Sequence, residues 1–135
     1  MTNDVVITVI GSQDDGDITL TTCGNYYKKA EKHYVFYEEQ ADADSDIVKD
    51  RICFDTKRFE MTKKGAVNSK MIFDLDETTC SYYQTPFGPI DIDIVTQNYT
   101  VEETDEKISI TIDYTLSMNR QEASDCHVSV VIEAK

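Results

Sequence analysis

The residues whose types could do chemistry are two alternating aspartates, a run of loop aspartates, a cysteine beside a histidine, and a glutamate and a lysine in apolar segments. Asp91 and Asp93 stand two apart, and a carboxylate pair at a suitable separation can serve glycoside hydrolysis. They alternate with Ile90, Ile92 and Ile94, so the isoleucines take the buried face and the aspartates the wet one. A solvated face is expected there, and no catalytic dyad. Asp42, Asp44 and Asp46 open like a calcium loop, but such a loop needs Gly at its sixth position and Glu at its twelfth. This chain has Ile47 and Cys53 there, which leaves a solvated hairpin loop. Asp14, Asp15 and Asp17 around Gly16 likewise meet the backbone requirements of a turn. Cys126 and His127 are adjacent, and neighbours on a strand point to opposite faces, which separates thiol from imidazole.

Strand parity gives a sharper expectation. Lys63 shares a face with Phe59 and Met61, and Glu38 shares one with Tyr34 and Phe36. With those apolar residues turned inward, both charges point inward near strand ends. A buried charge is costly unless paired, so Glu38 and Lys63 are expected to lie close together. They would form an ion pair or an anchor for a ligand's carboxylate or amine; the alternative is that the strands fray there and both side chains reach water. Tyr26, Tyr37, Tyr83 and Tyr114 could add hydroxyls around a barrel mouth, combining apolar walls with polar tips. Aromatic residues also simply favour strands.

The elements that must position these residues are strands almost throughout. Ile108, Ile110, Ile112, Tyr114 and Leu116 alternate with polar residues, and Val128, Val130 and Ile132 form a similar ladder. Further strands are expected at Val5–Ile10, Ile18–Tyr27, Tyr34–Glu38, Val48–Phe54, Phe59–Lys63 and Lys70–Phe73. Gly24, inside the second of these, suggests a bulge or sharp bend. Turn signals at 14–17, 42–46, Lys64-Gly65 and 86–89 separate them. Eight or nine short strands imply a sandwich or barrel, and closure favours the barrel because it removes both exposed edges.

The 135 residues fit a single domain, 1–135, with one core. The formal charge of −13 and a pI of about 4.4 argue against nucleic acid and an anionic membrane surface, since both are bound largely by Lys and Arg. Within this acidic chain, residues 49–70 carry seven Lys or Arg against three acids. Cys23, Cys53, Cys80 and Cys126 show no close pairing, and His33 and His127 are the only histidines, so no metal site is expected. No cofactor fingerprint, P-loop or nucleophile elbow is present. The opening residues lack a basic segment and a signal-length apolar run, and no apolar stretch approaches the ~20 residues that span a bilayer. A cytoplasmic setting with reduced thiols is expected.

At Tyr83-Gln84-Thr85-Pro86-Phe87-Gly88 the chain resembles the YwiB-like family of uncharacterised bacterial proteins, domain of unknown function 1934. Gly24 with Tyr26, Tyr37-Glu38-Glu39, Gly65-Ala66-Val67, the acidic turn at 102–106 and Ile108–Tyr114 continue the likeness over nearly the whole chain. The chain departs from the family pattern at Lys63 and His127, where Arg and Asn are common. The resemblance implies a calycin-type barrel and a bacterial, cytoplasmic source, and supplies no activity. The expected fold is therefore all-β, a closed antiparallel up-and-down barrel of about eight strands, calycin- or lipocalin-like. The expected function is non-enzymatic binding of a small apolar or amphipathic molecule inside the barrel. The alternative is a filled barrel serving as an interaction or structural module, with self-association or a partner at the 49–70 surface.

Overall fold

The structure, a computed structural model, describes residues 3–13, 16–40, 46–65, 68–85, 87–118 and 124–135. Its elements are ten strands: β1 (Asp4–Gln13), β2 (Gly16–Lys29), β3 (Lys32–Glu39), β4 (Val48–Phe54), β5 (Arg58–Gly65), β6 (Asn68–Asp74), β7 (Thr79–Thr85), β8 (Gly88–Glu103), β9 (Lys107–Met118) and β10 (Ser124–Ala134). Each pairs antiparallel with its sequence neighbour, and β1 pairs with β10 to close the barrel. The up-and-down closure is as expected, with ten strands in place of about eight. Asp14, Asp15, Asp42, Asp44, Ala66, Val67 and Pro86 lie outside the described residues, as do 119–123.

Alternation builds the interior. Ile108, Ile110, Ile112 and Tyr114 of β9 and Cys126, Val128, Val130 and Ile132 of β10 are all buried. Each fully buried isoleucine or valine stabilises the fold by about 1.5–3 kcal/mol relative to exposure. β8 keeps Ile92, Ile94 and Thr96 inside until a bulge between Thr96 and Asn98 takes one residue out of register. Beyond it the inward positions become odd-numbered, and Tyr99 and Val101 pack against the core.

Two sequence expectations change. In β3 the inward residues are His33, Val35 and Tyr37, while Phe36 is 41% exposed. Tyr34, Val35, Phe36 and Tyr37 are all bulky and apolar, so composition alone does not set the phase. At Gly24 there is no bulge, because its pairing with β1 runs on unbroken. The glycine is needed for close approach: a Cβ there would stand 2.5 Å from the Phe36 carbonyl oxygen and 2.6 Å from Ile7 Cδ1.

The barrel has two dissimilar ends. At one, residues 30–31, 55–57, 75–78 and 104–106 make tight turns; at the other lie Gln13, Glu39, Val48, Gly65, Asn68 and Gly88, where strands begin or end. Among the described residues no helix is long and apolar enough to cross a membrane.

Candidate functional site

In β4 the residues at 48, 50, 52 and 54 all point inward, so Asp50 is carried into the barrel by Val48, Ile52 and Phe54 on either side of it. The antiparallel register sets it in a row across the wall: Gly24, Tyr37, Asp50, Lys63, Ser69 and Tyr83 are successive partners on β2 to β7. Glu39, one inward step beyond Tyr37, completes a cluster toward the end opposite the tight turns.

Lys63 does point inward with Phe59, and it does meet a glutamate, but that glutamate is Glu39. Lys63 Nζ donates to Glu39 Oε2 at 2.9 Å. Glu38 stands on the outer face, exposed and opposite Lys49. The correction follows from the phase of β3, because turning Val35 and Tyr37 inward turns Glu39 inward with them. The Lys63 and Glu39 side chains are 29% and 24% exposed, whereas Asp50 is 2% exposed. The ion pair thus forms a rim with the aspartate beneath it.

Asp50 is the unusual group. No donor meets either carboxyl oxygen, although both are buried, and the nearest polar group is the Glu39 carboxylate, to which a protonated Asp50 donates. Burial, and then the hydrogen bond and charge of Glu39, push it up to about 8 against the opposing pull of Lys63. Burial would raise Glu39 as well, but hydrogen bonds from Asp50 and Lys63, together with the lysine charge, bring it below its ordinary value. At neutral pH a proton therefore resides on Asp50, facing an ionised Glu39 that Lys63 neutralises. Tyr37 is held far above the usual phenol value by burial and by the charges of Asp50 and Glu39, so its hydroxyl stays a donor.

The wall beside this cluster parts. β2 runs from Gly16 and β3 to Glu39, yet their pairing stops at Gly24 opposite Tyr37. A groove of about 390 Å³ lies there, with Gly24, Phe36, Tyr37, Glu38, Lys49 and Asp50 in its lining.

The four tyrosines do not share one mouth. Tyr37 belongs to the row just described, and Tyr83, 41% exposed, stands at its far end. Tyr26 is buried with His33 and donates to His33 Nδ1 at 2.5 Å. Burial, and then Glu103, raise the Tyr26 phenol, while burial lowers His33, so the phenol keeps its proton and the imidazole accepts. Tyr114 lies inside with its ring centroid 4.8 Å from that of Phe73. His33, Phe54, Phe59 and Phe73 continue the contact as an aromatic ladder on β3 to β6.

Asp91 is exposed and Asp93 half-buried on the outer face, with Ile92 and Ile94 inside. Cys126 is buried, whereas His127 lies on the outer face and bonds Asp113 through Nδ1 at 2.5 Å. Among the described residues, no group of three or more His, Cys, Asp or Glu could hold a metal ion. Sequence reasoning missed Glu39 and Asp50. The signal for Asp50 was present in Val48, Ile52 and Phe54, which share its parity.

The family model for DUF1934, described as a domain of unknown function, matches residues 5–130. No curated protein matches the chain. Among solved structures it is similar to the YwiB protein from Bacillus subtilis, with 24% identity, 98% of this chain and 90% of that chain covered, and a TM-score of 0.76. At that identity the likeness concerns the fold.

Proposed function

The chain belongs to the DUF1934 family, and on that footing we propose that it is a non-enzymatic small-molecule-binding protein that holds its ligand inside one end of the barrel. The observation that carries this reading is the buried Asp50 carboxyl, which no donor meets, beneath the Glu39–Lys63 pair. Stability does not call for such a cluster, since well-packed apolar residues in place of buried charges are often neutral or stabilising. Recognition does call for it, because a few polar groups in an apolar wall fix a ligand's orientation. Ten strands enclose more space than the eight that side chains just fill, and the aromatic ladder occupies the tight-turn end. The ligand is a small apolar or amphipathic molecule with its polar head at Lys63, Glu39 and Asp50. Tyr37 and Tyr83 stand in the same row; Tyr26 and Tyr114 belong to the packed interior. The four cysteines, none of them in a disulfide, suit a reducing, cytoplasmic setting.

Native mass spectrometry of freshly purified protein tests the reading. A small-molecule adduct that is lost on denaturation is expected; a bare chain that also takes up no aliphatic probe would overturn it.

A second reading, an interaction module, draws on the outer wall. Phe36, Arg51, Thr62, Lys70 and Tyr82 are successive outward partners, flanked by Lys49 and Lys64. Exposed Phe36 and Tyr82 among basic residues suit an acidic partner or the acidic remainder of a second copy. The same spectrum would reveal it as a dimer.

A further inference from the structure

We infer that the Glu39–Asp50–Lys63 cluster recognises a primary ammonium group, so that the ligand class is an alkyl or aralkyl amine. This deepens the barrel-binding reading and rests on it. The argument begins with a charge count. Two inward carboxylates face one inward ammonium, and that ammonium is committed to Glu39 at 2.9 Å. Asp50 is left beneath with two buried oxygens and no donor. The cluster is short by one positive charge, which a proton on Asp50 supplies in the ligand-free protein.

A ligand that replaces the proton must bring both charge and donors. A primary ammonium brings one charge and three N–H groups, matching the open acceptor positions of Asp50 and Glu39. An alcohol brings a single donor and leaves the charge unbalanced. A carboxylate ligand would add a third negative group beside two. The groups that face Asp50 across its row are Tyr37 and Glu39 on β3 and Lys63 on β5, with Ser69 beyond. None of them supplies a second cation. Ile52 and Met61, the next inward pair, offer an apolar surface for the carbon chain. As the ammonium enters, Asp50 ionises and its proton leaves to the buffer.

Titration calorimetry of the full chain with hexylamine, hexanol and hexanoate at pH 7, in two buffers of different ionisation enthalpy, tests this. Hexylamine should bind about tenfold or more tighter than the other two, since charged hydrogen bonds contribute roughly 1.5–3 kcal/mol. It should also release about one proton, which hexanol should not. Asp50→Asn should weaken hexylamine by about tenfold or more and leave hexanol unchanged, and Glu39→Gln should weaken hexylamine in the same direction. Hexanol or hexanoate binding as tightly as hexylamine, or hexylamine indifferent to both substitutions, overturns the ammonium assignment and leaves the barrel reading standing. No binding by any of the three removes both.

Discussion

The two ends of the barrel are built on opposite terms. At the tight-turn end the rings of His33, Phe54, Phe59 and Phe73 follow one another at centroid distances of 4.6, 5.9 and 5.9 Å. The Tyr99 hydroxyl reaches across from β8 to donate to the Asp55 carbonyl at 2.5 Å, and the Asp55 carboxylate accepts from the Lys57 and Arg58 amides. Burial and the charge of Asp55 keep the Tyr99 phenol protonated for that bond. At the opposite end, no donor meets the buried Asp50 oxygens, its one polar neighbour is another carboxylate, Glu39, and Lys63 bonds only Glu39. One end stacks its rings and pairs its polar groups. The other keeps charge in store. The contrast separates what holds this barrel together from what it presents to a ligand.

The most damaging way to break that contrast is to hollow out the packed end. Phe59→Ala removes a fully buried ring between Phe54 and Phe73, and should cost about 3–5 kcal/mol by urea denaturation. The ammonium site should keep its affinity in the folded fraction.

At the polar end the expected effect has the opposite sign. Asp50 holds a proton in the folded state up to about pH 8, whereas the unfolded carboxyl releases it near its ordinary value of 3.8. Between those limits the folded state binds more protons, so stability is full below the lower limit and falls as pH rises through the upper one. Glu39, lowered, acts only below the usual carboxylate range, where it adds stability with rising pH. Asp50→Asn should therefore stabilise the protein by about 1–3 kcal/mol at pH 8, with the gain vanishing near pH 4. Thermal melts across that range check it; a gain that grows toward acid would contradict the assignment. His33, lowered mainly by burial, works in the other direction and loses its contribution as pH falls below the ordinary histidine value.

The smallest expected effect sharpens the comparison. Tyr99→Phe keeps the ring and removes the hydroxyl that crosses to Asp55, and should cost about 1 kcal/mol. Amide exchange should quicken in the 55–58 turn and stay unchanged at Asp50.

Much of the barrel was legible in the sequence because one face of each strand is dry. β4 is found at its full extent from Val48-x-x-x-Ile52-x-Phe54, and the ladders of β9 and β10 fix their own phase. β7 was missed because its inward residues include Thr79 and Ser81, small polar groups that carry no hydropathy signal. The site was half legible. Parity placed Lys63 inside, but four consecutive bulky residues in β3 hid which glutamate goes with it. Asp50 was obscured by its type: an aspartate on an apolar face reads as an interruption, and only its neighbours two residues away reveal where it points.

The bulge in β8 carries a further consequence. By inserting Gln97 the strand presents even positions to the interior along one half of its length and odd positions along the other. A deletion of that residue would restore uniform pleating and leave Tyr99 and Val101 facing inward, so that only the local bend of the bulge would be lost. One exposed glutamine thus shifts the numbering of the inward positions between the two halves of the strand, and both halves keep the same face toward the core.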